Sequence, residues 1–86
     1  MTDILAEAIE FYGKENQLNQ AVEELAELIV SINHCRRGRV TADAVASEIA
    51  DAIIMIEQVA MIFNVDPEKH IDEKMNRLKQ RIDGVE

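Results

Sequence analysis

Two short acidic motifs hold the residues of this sequence best suited to chemistry. Glu23-Glu24-Leu25-Ala26-Glu27 and Glu48-Ile49-Ala50-Asp51 each set carboxylates three residues apart inside a helical pattern, so each pair projects from roughly one side of its helix. Two such helices side by side would bring Glu24, Glu27, Glu48 and Asp51 together, where like charges repel unless a cation lies among them. Divalent cations of the magnesium type prefer oxygen ligands and keep several waters, which leaves room for nucleotide phosphates.

The surroundings weigh this reading against a plain solvated face. Solvated faces usually carry Lys or Arg at i+3 or i+4 to offset acidic repulsion. Between Lys14 and Arg36 there is no Lys or Arg, while Glu15, Glu23, Glu24 and Glu27 all fall there. None occurs between Arg39 and Lys69 either, so Asp51, set in Ile49-Ala50-Asp51-Ala52-Ile53-Ile54-Met55-Ile56, has no local partner. An unpaired carboxylate in apolar surroundings costs several kcal/mol or takes up a proton. A partner from elsewhere in the fold or a bound cation must stabilise it.

Lys74, Arg77 and Arg81 recur at i, i+3 and i+7 near the C-terminus. They either complement a helix dipole and pair with Asp72 and Glu73, or form a cationic stripe that grips triphosphate oxygens and a pyrophosphate leaving group. His34 beside Cys35 does not make a zinc set. Phe11 and Tyr12 suit base stacking or core packing equally well. The sequence has no P-loop, glycine-rich phosphate cradle or nucleophile constellation.

The elements that must position these residues are all helical, since apolar residues recur at helical spacing and no segment alternates like a half-buried strand. A short helix over about Asp3 to Tyr12 ends near Gly13. A second spans roughly Asn16 to Cys35, with Leu18, Val22, Leu25, Leu28, Ile29 and Ile32 as its apolar stripe, Ala21 filling in. On that stripe Glu24 falls on a flank and Glu27 nearly opposite the centre. Gly38 allows a left-handed exit after Arg36 and Arg37. Thr41 reads as the N-cap of a third helix, about Ala42 to Phe63, apolar almost all round and so expected to be buried. Asp66 caps a fourth that begins at Pro67, runs to about Ile82 and stops at Gly84. The fold class is all-α: three principal helices and a short N-terminal one, in a single domain over residues 1–86.

Eighty-six residues bury only about 60% of their unfolded surface, so such a chain alone is marginally stable. Yet 48% of it is hydrophobic, with one Tyr, two Phe and no Trp. That much aliphatic surface suggests burial between subunits, the helices completing a bundle in a homo-oligomer. A net charge of −8 argues against a nucleic-acid polymer as partner. No signal-peptide pattern or membrane span is read, and the lone Cys35 suits a reducing compartment, so the expected setting is cytoplasmic.

The order Glu23-Glu24-x-x-Glu27, twenty residues, Glu48-x-x-Asp51 resembles the signature of MazG-like nucleotide pyrophosphohydrolases, the all-α NTP pyrophosphatase superfamily. The flanking Gln17 to Leu28 is similar to that family's first motif helix, and Glu73 to Arg81 to the segment that follows its second motif. The resemblance covers about Gln17 to Arg81 and implies hydrolysis of a nucleoside triphosphate between its α- and β-phosphates, giving monophosphate and pyrophosphate. It implies Mg²⁺, with Mn²⁺ a substitute, held by Glu24, Glu27, Glu48 and Asp51, and Glu23 as a helper. Glu27 or Glu24 would be the base. Lys74, and with it Arg77 and Arg81, would contact phosphates, in a homodimer or homotetramer. The lack of Trp leaves the nucleobase open.

Two other readings remain. One is a non-catalytic acidic helical oligomerisation protein, its carboxylates paired with Arg36, Arg37 or Arg39 of a neighbour. The other is a di-iron bundle, which wants Glu-x-x-His on two helices, and no Glu here has His three residues later.

Overall fold

Local capping chemistry sets where the helices begin and end. The computed structural model describes residues 1–84, which form α1 (Thr2–Tyr12), α2 (Lys14–Arg36), α3 (Ala42–Phe63) and α4 (Glu68–Ile82). No strand occurs among the described residues, and none of their helices is long and apolar enough to cross a membrane. Gly13, at φ 91°, ends α1 and lets α2 start at once, two residues earlier than periodicity suggests. The amide Nδ2 of Asn16 ties the junction by donating to the Tyr12 carbonyl at 2.7 Å.

α2 closes in a Schellman turn. Arg39 N donates to the His34 carbonyl at 2.9 Å and Gly38 N to that of Cys35 at 3.0 Å, with Gly38 left-handed at φ 71°. Thr41 Oγ1 accepts from Ala44 N at 3.2 Å and caps α3 as expected. α3 ends in the same kind of turn around Asn64, at φ 54°. Asp66 Oδ1 then accepts from Glu68 N at 3.0 Å, and Pro67 enters the first turn of α4.

α2 and α3 form an antiparallel hairpin that carries most of the packing, and α1 rests on both through Leu5. The covered positions of α2 include Gln17, Ala21, Glu24, Leu28, Ser31 and Cys35, with Leu18 and His34 beside them. Those of α3 include Val45, Glu48, Ala52, Met55, Val59 and Ile62. Both series step by three and four, the heptad seam of a helical coil. The seam is narrow at its heart: Ala21 and Ala52 are each 3% exposed and let the backbones approach closely.

This seam corrects two expectations. Of the apolar stripe read along α2, Ala21 is buried and Leu18 and Leu28 are half-buried, but the rest faces outward, with Val22 at 69% and Ile29 at 62% exposure and Leu25 and Ile32 also exposed. α3 is not buried all round either, since Ile49, Ile53, Ile54 and Ile56 are exposed. In each case the helix spends its smaller, more polar side on the hairpin. The most apolar side is left over. Among the described residues α4 packs against none of the other helices. The radius of gyration is accordingly 16.0 Å, against about 12 Å for a compact chain of this length.

Candidate metal centre

The heptad seam carries Glu24 and Glu48 into the hairpin. Each replaces an apolar knob at a covered position, and each is half-buried. Gln20 Nε2 donates to Glu24 Oε1 at 2.8 Å. Glu24 Oε2 and Glu48 Oε2 are both shielded from solvent and have no hydrogen-bond partner. Buried carboxylate oxygens without a donor are costly, because they have lost water and gained nothing.

Glu27 joins them one turn along α2. One carboxylate oxygen from each of Glu24, Glu27 and Glu48 lies within 4.8 Å of the others. Glu27 is the exposed member. Its carboxyl is held above its ordinary value of 4.5 first by the charge of Glu24, then by partial desolvation, then by Glu48, Glu23 and Asp51. Every neighbour that acts on it is negative.

A divalent cation answers each of these features. It satisfies the two orphaned oxygens and offsets the repulsion, and three carboxylates are the hard donors that magnesium, manganese or calcium take. Oxygens on an octahedral magnesium are about 3 Å apart when adjacent and about 4.2 Å when opposite, so the cluster must tighten on binding, and exposed Glu27 has the rotamer freedom to adjust. The residues fit such an ion.

The structure brings together three of the four carboxylates expected at the centre. Asp51 is exposed and lies outside the group, near enough to act on Glu27 yet the weakest of its named influences. Glu23 is likewise exposed and outside it. Lys74, Arg77 and Arg81 sit on α4, so within one chain they are not brought to the carboxylates.

Beside the cluster runs an open groove of about 400 Å³. Glu27 and Glu48 form one edge, Val30, Val40 and Ala44 give apolar walls, and Ser31 and His34 add polar groups. Ser31 and His34 follow Glu27 at i+4 and i+7, so helical spacing alone places them on one face with it. Considering His34 only as a partner for Cys35 hid that relation. Comparison of the chain with protein-family models, with curated proteins and with solved structures finds no match.

Proposed function

We propose that the protein is a magnesium-dependent nucleoside triphosphate pyrophosphohydrolase, acting as a homo-oligomer. The observation that carries this reading is the pair of orphaned oxygens on Glu24 and Glu48, converging with Glu27 at the edge of a groove. An acidic cluster serving only solubility would keep its oxygens in water. Here two are taken out of it.

Glu24, Glu27 and Glu48 would hold Mg²⁺, with Asp51 flanking. When bound, such an ion supplies charge neutralisation for phosphate oxygens and acidifies water. Glu27 suits the general base, because it is exposed and lines the groove where substrate would lie. It takes the proton of the water that attacks phosphorus, and pyrophosphate leaves with the electrons of the broken P–O bond. The apolar walls of Val30, Val40 and Ala44 exclude water and can cover a sugar or base, with Ser31 and His34 offering hydrogen bonds. Lys74, Arg77 and Arg81 would steady the leaving pyrophosphate.

Incubation of the full chain with canonical and modified triphosphates and Mg²⁺ tests the reading. Equimolar monophosphate and pyrophosphate are expected, with loss of both in EDTA. Release of orthophosphate and diphosphate would place the cleavage at the wrong bond. The exposed apolar sides of α2 and α3 also suit a non-catalytic oligomerisation protein. Stable oligomers with no turnover of any triphosphate would favour that second reading.

A further inference from the structure

We propose that α4 docks on the outward apolar stripe of α2 in a second copy of this chain, antiparallel to it, and that two-fold symmetry repeats the contact. This rests on and deepens the oligomeric part of the proposed function, and its test reads assembly rather than turnover.

α4 has a built but unpartnered face. Ile71, Met75, Leu78 and Ile82 form one stripe, all exposed, on a 15-residue helix that touches no other helix among the described residues. A helix of that length is marginal in water without tertiary packing. On α2 the matching surface is Val22, Leu25, Ile29 and Ile32, equally exposed. At the α-helical rise the two stripes run about 16 Å and about 15 Å, so four side chains meet four.

The exposed area has the size of such an interface. The chain exposes 6877 Å², where a folded monomer of 9.7 kDa exposes about 5,100 Å². The excess, roughly 1,700 Å² per chain, is what one subunit of an obligate dimer hides.

Charge selects both the direction and the donor of the helix. α4 is on balance acidic at its start (Glu68, Asp72 and Glu73 against Lys69) and basic toward its end (Lys74, Arg77 and Arg81, with Lys79 bridged to Asp83). α2 beyond Lys14 is acidic as far as Glu27 (Glu15, Glu23, Glu27) and basic at its exit (Arg36, Arg37, Arg39). Only antiparallel docking matches opposite signs, and it sets Leu78 against Leu25 and Ile71 against Ile32. A chain cannot do this to itself. The Gln17–Gln58 bond puts the end of α3 at the start of α2, so α4 begins there and would fold back parallel to its own α2, acid against acid.

The test uses the full chain. Sedimentation is expected to give at least twice 9.7 kDa at micromolar concentration, and Leu78→Glu to weaken the assembly about thirty-fold or more. A monomeric wild type overturns the proposal, as does an assembly indifferent to Leu78→Glu. Should that variant fail to fold, singly substituted chains still decide. Leu25→Cys and Leu78→Cys, made separately in a Cys35→Ser background, are mixed and oxidised. They should crosslink between chains far faster than Leu25→Cys with Ile71→Cys. Equal rates, or the reverse order, refute the antiparallel register. Dependence of the mass on Ile53→Glu alone would instead assign the interface to α3 and overturn the docking of α4.

Discussion

Gln17 Nε2 donates to Gln58 Oε1 at 2.7 Å across the open end of the α2–α3 hairpin, and both side chains are buried. The bond does more than satisfy two amides. With Gln17 opposite Gln58, antiparallel counting sets Glu27 opposite Glu48 and Glu24 beside Asp51, so a polar pair at one end fixes where the carboxylates meet. Gln58 also reaches Met55 Sδ at 3.6 Å, which orients its amide. Replacing Gln17 with Leu alone leaves a buried acceptor without its donor and should destabilise the metal-free fold by about 1–3 kcal/mol in chemical denaturation. Gln17→Leu with Gln58→Leu should recover most of that loss. The double variant should nonetheless bind divalent metal less well, because a purely apolar pair permits the helices to slide. Unchanged metal affinity in the double variant would remove the register argument.

Glu27 makes the metal-free protein sensitive to pH in a defined direction. Its carboxyl is raised above the ordinary 4.5 chiefly by Glu24, so the folded chain holds this proton more tightly than the unfolded one. The sign follows from linkage: the contribution favouring the fold is fully present below the unfolded value and is lost as pH rises through the folded value. In EDTA, melting temperatures should therefore carry a decline from just above 4.5 toward neutral pH that Glu27→Gln flattens. A melting profile identical in the two proteins would show that the repulsion around Glu27 is not felt.

Most of the secondary structure was legible because its signals are local. Thr41, Asp66, Gly13 and Gly38 each act within a few residues of themselves, and each stands where capping chemistry puts it. The packing was not legible in the same way. Hydrophobic periodicity selects the most apolar face of a helix, here Leu18, Val22, Leu25, Leu28, Ile29 and Ile32, and assigns all of it to the nearest neighbour. The hairpin uses the heptad face with the alanines instead, since Ala21 and Ala52 allow close approach. That choice moves Glu24 from the flank to the seam and leaves Asp51 outside. The convergence of Glu24, Glu27 and Glu48 was foreseeable from spacing; the exclusion of Asp51 depends on helix rotation, which a single sequence does not set.

Magnesium should act as a stabilising ligand of the folded chain. An ion present at one hundred times its dissociation constant adds about 2.7 kcal/mol, which for a domain of this size raises the melting temperature by about 10 °C or more. The control is sodium chloride at equal ionic strength, since screening alone relieves some repulsion. Glu48→Gln removes a shielded, unpaired charge, so its metal-free form should melt higher than wild type while gaining little from magnesium. Asp51→Asn should shift the metal-free melt in the same direction but less, being exposed. A Glu48→Gln protein that keeps the full magnesium increment would remove that residue from the centre.

Activity separates the three clustered carboxylates from the fourth. Glu27→Gln preserves shape and should leave helicity intact, yet it deletes the base and a ligand, so pyrophosphate release should fall about 10²–10⁴-fold. Asp51 acts on Glu27 only as the weakest of its neighbours and lies outside the 4.8 Å group. Asp51→Asn should therefore cost about ten-fold, the scale of a residue that tunes a centre without entering it. Steady-state turnover against magnesium concentration distinguishes the roles, since loss of a ligand also raises the magnesium needed for half-maximal rate. Equal losses in the two variants would mean that α3 rotates to bring Asp51 inward when the ion binds, and the three-carboxylate centre would have to become four.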